Sequence, residues 1–243
     1  MKAVTQASVD SVHRVMDHAP MTDPCVVSIH VGKVAPLGPD GIPSGFVKHR
    51  VSSVVTVAPL GIIGDEQADL TVHGGADKAV YAYARAHYAA WRREYPQHAD
   101  LLVAGGLGEN LAIDGMTEAD ICVGDVHAIG SARLQVCQPR QPCFKFALRF
   151  NDTLMPKAMI RNGRSGWYYR VINAGILSPD DRVVLLERPN PNFPLTRLVE
   201  LITHHNATMT EWQQMSHMAG LAMDLQRRAS DIVRRHGRGR VAE

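Results

Sequence analysis

From Cys25 to about Glu187 the chain runs in short stretches of β-branched and aliphatic residues, each cut off by Gly, Pro or Asp. "CVVSIHVGKV" (25–34), "RVSSVVTVAPLG" (50–61), "VGDVHAIGSARLQV" (123–136) and "DDRVVLLE" (180–187) all have strand length and composition. Runs this short, separated by turn residues, predict a β-barrel or compact β-sandwich rather than a sheet built from βαβ units. Gly130-Ser131, between two alternating runs, predicts a hairpin. One segment departs from this pattern. In "ADKAVYAYARAHYAAWRREYP" the residues Val80, Tyr83, Ala84, His87 and Trp91 recur at helical spacing up to Pro96, which predicts a helix. A shorter helix is expected around Leu154 to Arg161.

After Glu187 the pattern changes. "RPNPNFPLT" holds three prolines and two asparagines and predicts a linker. "TRLVELITHHN" and "EWQQMSHMAGLAMDLQRRASDIVRRHG" then show amphipathic helical spacing, with Gly237 as the expected stop. The expected division is an N-terminal extension without periodicity over 1–24, a β-domain over 25–188, a linker over 189–196 and a helical module over 197–243. The fold class expected is mainly β with added helices.

Composition narrows the function more than the fold. A chain of 243 residues holds one large domain, and 45% hydrophobic residues suffice for a sizeable core. The formal charge of +2 does not point to a nucleic-acid partner. The basic tail (Arg227, Arg228, Arg234, Arg235, Arg238, Arg240) lacks interleaved aromatics and reads as a charged outer helix face. No apolar stretch approaches the roughly 18 to 20 residues that cross a bilayer, and "MKAVTQASVDSVHRVMDHAP" has no signal-type apolar core. The expected location is the cytoplasm.

The four cysteines, Cys25, Cys122, Cys137 and Cys143, form no CxxC pair and fit no zinc or ferredoxin spacing. In a reducing compartment they read as separate thiols. GxGxxG, Walker-type, HExxH and GxSxG signatures are absent, so redox chemistry here needs a bound cofactor and an outside electron donor.

Cys143 stands apart from the other three. In "QPRQPCFKF" (138–146) it lies just past a strand that Pro139 ends, in a loop stiffened by Pro142, with Arg140 and Lys145 nearby. A free thiol titrates at about 8.5, and neighbouring cations bring that to roughly 3.5–7.5. A thiolate is both a nucleophile and a ligand for soft metal centres. Cys25, Cys122 and Cys137 sit in or beside strand patterns and read as small core hydrophobes.

Three glycine-rich stretches add candidates. "VHGGADKAVYAY" (72–83) runs two glycines into an expected helix start, which either forms an anion site with Lys78 or is an ordinary turn with Asp77 on the helix dipole. "GGLGENLAIDG" (105–115) sets Glu109 and Asn110 beside flexible backbone, for reading a heterocycle edge or for capping a loop. "RNGRSGWYYRVINAG" (161–175) is a basic loop leading into an aromatic strand; Arg161 and Arg164 grip phosphate there or are solvated, and Trp167 and Tyr168 read as packing residues.

Taken in order, "GDEQADLTVHGGADKAVYAYARAHYAAW", "GGLGENLAIDGMTEADICVGD", "LQVCQPRQPCFKF" and "GRSGWYYRVINAG" resemble the MOSC domain, and within it the bacterial YiiM-type branch associated with resistance to 6-N-hydroxylaminopurine. The resemblance covers about 25–188, and the helical tail is similar to that branch's C-terminal module. It implies a β-barrel that binds the molybdenum cofactor, a pterin dithiolene bearing a phosphate, with Cys143 as ligand to molybdenum or carrier of sulfur. It further implies His73, Gly74, Gly75, Asp77, Lys78, Glu109, Asn110, Arg140 and Lys145 as site-lining residues, with Lys33 of a Gly-Lys pair added. The implied activity is reduction of N-hydroxylated compounds, with electrons from a separate reductase. A cofactor carrier without turnover and a persulfide sulfur-transfer protein are the alternatives, and a homodimer stays open.

Overall fold

The computed structural model describes residues 23–71, 73–204 and 206–239. The expected N-terminal extension lies outside the described residues apart from Asp23 and Pro24, as does Arg240 of the basic tail. In chain order the elements are β1 (Cys25–Val31), β2 (Ala35–Leu37), β3 (Ile42–Ser44), β4 (His49–Val51), β5 (Val55–Ala58), β6 (Gly61–Ile62), β7 (Val80–Ala84), α1 (His87–Glu94), β8 (Leu111–Asp114), β9 (Val126–Ile129) and β10 (Ala132–Pro139). They continue with α2 (Phe144–Phe150), α3 (Met155–Asn162), β11 (Trp167–Asn173), β12 (Gly175–Leu177), β13 (Val183–Glu187), α4 (Leu195–His204), α5 (Met209–Ser216) and α6 (Met223–Gly239).

Eight strands form one sheet in the order β13-β9-β10-β11-β7-β8-β1-β4, antiparallel except for the β7–β8 pair. β12-β5-β6 and β2-β3 form two small sheets. This corrects the expected β-barrel. Among the described residues no ladder joins the edge strands β4 and β13, and the architecture is mixed α/β rather than mainly β. β1 pairs with β8 from Cys25 to Ile29 and with β4 only from Ile29 to Val31. The start of β1 reaches across to the start of β13 through a bridge from Cys25 to Arg182, with Val26 N–H donating to Asp181 O at 2.9 Å, Asp180 N–H to Val26 O at 2.7 Å and Val183 N–H to Pro24 O at 2.7 Å, before β13 continues along β9.

The expected hairpin forms, with β9 and β10 turning at Gly130-Ser131. The helix expected from Val80 to Trp91 does not form in its first half. Residues 80–84 are a strand, and all five are buried. Val80, Ala82 and Ala84 face one core; Tyr81 and Tyr83 face a second, aromatic one with Trp91, Phe146 and Phe150. Both faces are apolar, so the period of two is carried by side-chain size and not by polarity, and a helical spacing fits the hydrophobicity equally well. "RVSSVVTVAPLG" likewise divides between β4 and β5, which sit in different sheets.

The C-terminal helices begin where the amphipathic pattern does. Thr208 and Glu211 form a reciprocal capping box that starts α5. Gly237 does not stop α6, which runs to Gly239. Leu195, Leu198, Leu201, Met215, Leu221, Ala222 and Leu225 join the same core as β9, β10 and β13. The Pro-rich stretch before them is packed as well, with Phe193 buried and Asn190 Nδ2 donating to Val123 O at 2.7 Å.

Candidate functional site: the Cys143 cleft

β10 delivers the central residue. Pro139 is its last member, Arg140 N–H donates to Gly166 O at 3.3 Å, and Cys143 in extended backbone precedes α2. α2 was not foreseen in "CFKF"; it is seven residues long, and its buried face is carried by Phe146 and Phe150. Cys143 is half-buried on the wall of a cleft enclosing about 670 Å³, counted out to solvent. The cleft brings together Cys143, His73, Gly74, Lys78, Asn110, Arg140 and Lys145, seven of the residues singled out in the sequence.

Burial alone would push the Cys143 thiol up. A hydrogen bond with His73, the charge of Arg140 and the Lys145 backbone N–H outweigh it and bring the thiol down to about 7. His73 is held over the cleft by a turn only glycine makes easily, with φ of 101° at Gly74 and 82° at Gly75.

The cationic side of the cleft is deeply set. The Arg140 guanidinium is buried and lies 5.1 Å from the ring centres of Phe46, Tyr81 and Phe146. The buried Lys145 ammonium donates to Pro43 O at 2.9 Å. Among the described residues neither cation forms an ion pair with a carboxylate. A buried charge without a counterion is costly, so the cleft is electrostatically suited to an anion.

Two important residues escaped the sequence. Lys48, just before β4, is ion-paired with Asp65, and both side chains are almost fully buried. Burial pushes the Lys48 ammonium below its ordinary range, opposed by Asp65. Asp65 also accepts from Gly32 N–H at 2.7 Å and from Asn110 Nδ2 at 2.9 Å, so it ties three segments together at the cleft floor. Nothing in "FVKHRV" or "IIGDEQ" marks this pair, because the partners meet only through folding. Tyr168, read as packing, lines the cleft, whereas Trp167 is wholly buried.

The remaining candidates lie elsewhere. Asn110 has a second role, its Oδ1 accepting from Tyr81 N–H at 3.0 Å. Glu109 is buried behind the cleft, accepting from Tyr88 Oη and from Gly105 N–H at 2.6 Å, and burial raises its carboxyl. The Asp77 carboxylate points to Arg170 and α6. Lys33 is exposed and pairs with Glu66 at 2.8 Å. Arg161 and Arg164 bond Tyr95 and Glu94, outside the Cys143 cleft.

The MOSC domain family matches residues 69–184. A protein named YiiM from Escherichia coli is 41% identical over 162 residues, 67% of this chain and 72% of that protein. The chain belongs to the MOSC domain family. A protein named Reductase from Gibberella moniliformis is 35% identical over 198 residues, 80% of this chain, which spans only 35% of that longer protein. The crystal structure of YiiM from Geobacillus stearothermophilus superposes with a TM-score of 0.73 at 29% identity, covering 86% of this chain and 99% of that one.

In this MOSC domain no three His, Cys, Asp or Glu side chains converge to cage an ion among the described residues. No helix among the described residues is long and apolar enough to cross a membrane.

Proposed function

We propose that this chain is a molybdenum-cofactor-binding oxidoreductase that reduces N-hydroxylated compounds such as 6-N-hydroxylaminopurine, working in the cytoplasm with a separate reductase as electron donor. The observation that carries the reading is a single thiol lowered to about 7 on the wall of a cleft whose buried cations, Arg140 and Lys145, have no carboxylate partner among the described residues. That donor set fits the cofactor. A thiolate suits molybdenum, cations without a carboxylate partner among the described residues suit a phosphate-bearing pterin, and the lack of a three-residue cage among those residues suits a metal that arrives with its own sulfurs. The name Reductase on a fungal relative supports the reaction type, and similarity to YiiM supports the branch.

The cofactor, when bound, would supply the two-electron redox chemistry. Cys143 would offer its sulfur as ligand, kept deprotonated near neutral pH by His73 and Arg140. Arg140 and Lys145 would hold anionic groups, with Asn110 and Tyr168 lining the same cleft. The net reaction, R–NHOH with two electrons and two protons giving R–NH2 and water, needs protons delivered at the leaving oxygen. His73, hydrogen-bonded to the thiol and lining the cleft, would hand one over.

Protein produced in a host that makes the cofactor should contain molybdenum and, with a competent electron donor, convert 6-N-hydroxylaminopurine to adenine. Bound molybdenum without turnover would mark a carrier instead. Full activity in a Cys143→Ser variant would eliminate both the ligand role and a persulfide role.

A further inference from the structure

The resemblance puts Asp77 in the site, yet its carboxylate faces away from the cleft and is engaged on every side. Oδ1 accepts from Arg170 Nε at 2.7 Å, and Oδ2 accepts from the backbone N–H of Met223 at 2.7 Å. Met223 opens the 17-residue helix α6, 146 positions away in the chain. The backbone carbonyl of Asp77 accepts from Cys137 Sγ at 3.0 Å and from Gln138 Nε2 at 2.8 Å. Around it the packing is reinforced. The β10–β11 register shifts between Val136 and Gln138, and Cys137 O accepts from Ala222 N–H at 3.0 Å. Arg170 Nη1 donates to Gln135 Oε1 at 2.9 Å.

The turn that Asp77 belongs to has little hold of its own. It comprises two glycines at positive φ and a single 3-10 turn, Ala76–Lys78, with Lys78 N–H donating to Gly75 O at 3.0 Å. A helix so short is not self-sustaining, so its position is set by what it is tied to. His73 and Gly74 on one side of Asp77, and Lys78 on the other, line the cleft.

We propose that Asp77 is a positioning residue that clamps the His73–Lys78 turn to the first turn of α6, so that the C-terminal helices set the placement of the groups facing Cys143. The α6 N-terminus, with its unpaired N–H groups and positive end of the dipole, is where a carboxylate is favoured. The helical module is on this account part of the site's support and not an appendage. The inference rests on the Cys143 cleft being the functional site, but not on which metal or substrate occupies it.

Met223→Pro removes the donating N–H while leaving the helix intact, because proline is tolerated at the first helical position and the Met223 side chain is exposed. Met223→Ala keeps the N–H and serves as control. Amide hydrogen exchange and the imidazole NMR signal of His73 are read in both. Expected for Met223→Pro is exchange at 73–79 faster by about tenfold or more and a displaced His73 signal, with β9 and β13 unchanged. Exchange and His73 signal matching the control would overturn the proposal, as would exchange that speeds up equally throughout the sheet. If Met223→Pro does not fold, Arg170→Gln loosens the other arm and is judged by the same two readouts. A protein that shows the local effect but never binds molybdenum would leave the coupling standing and remove the function proposed above.

Discussion

Cys137 and Cys143 lie six residues apart at one end of β10, and their surroundings push them in opposite directions. Cys137 sits on the strand's bulge, wholly buried, its thiol donating to Asp77 O and Tyr168 O. Burial, and then the Asp77 carboxylate, push it far above the ordinary thiol range, against a smaller pull from Arg170. Cys143 is also penalised by burial, but His73 and Arg140 reverse the outcome and bring it to about 7. A cation stands near each sulfur, so proximity of positive charge is not what separates them. Arg170 is already engaged by Asp77, whereas Arg140 forms no ion pair among the described residues and its charge acts on the cleft. Complete burial beside a cation that is already paired makes an inert thiol; partial burial with a hydrogen bond to His73 and the charge of Arg140 makes a reactive one.

The harshest way to break this contrast is to unbalance the cleft floor. Lys48→Met leaves Asp65 buried without its counterion and should cost about 3–5 kcal/mol in urea unfolding, while adding Asp65→Asn should recover most of it. A smaller loss is expected on the closed side. Cys137→Ala removes a buried thiol and its bonds, lowering stability by about 1–3 kcal/mol, yet should leave the labelling midpoint of Cys143 where it was.

His73→Ala sharpens the comparison from the other direction. The Cys143 thiolate exists above the thiol's pKa, so labelling by iodoacetamide rises through about pH 7 in the wild-type protein. Without His73 the midpoint moves up, and the rate at pH 7 falls by up to about tenfold, while rates at pH 10 converge. Site-resolved mass spectrometry separates this from labelling of Cys25, which is also half-buried. The smallest effect belongs to Lys33→Ala. Its ion pair with Glu66 is exposed, so the urea midpoint and Cys143 labelling should match wild type within error.

Much of this contrast was legible before folding was considered. Pro139, Arg140 and Pro142 placed Cys143 past a strand end beside a cation, and that is where it lies. Lys145 was legible for a different reason than the one that operates. Its ammonium turns to Pro43 O, and its effect on the thiol comes from its backbone N–H. His73 stands 70 positions before Cys143 and no local pattern joins them; only the ordered family motifs put both in one site. Lys48–Asp65 was invisible because a buried pair leaves no periodic trace. Strand β7 was misread since two apolar faces erase the alternation on which strand recognition depends. The open sheet was not legible either, because no local pattern says whether β4 meets β13.

The central claim is that Cys143 supplies a sulfur ligand to a cofactor-borne metal. X-ray absorption at the molybdenum edge, on holoprotein isolated from a cofactor-making host, tests it directly. The account predicts one more sulfur neighbour around molybdenum in the wild-type protein than in Cys143→Ser. An equal sulfur count in the two proteins, both loaded with molybdenum, would contradict it.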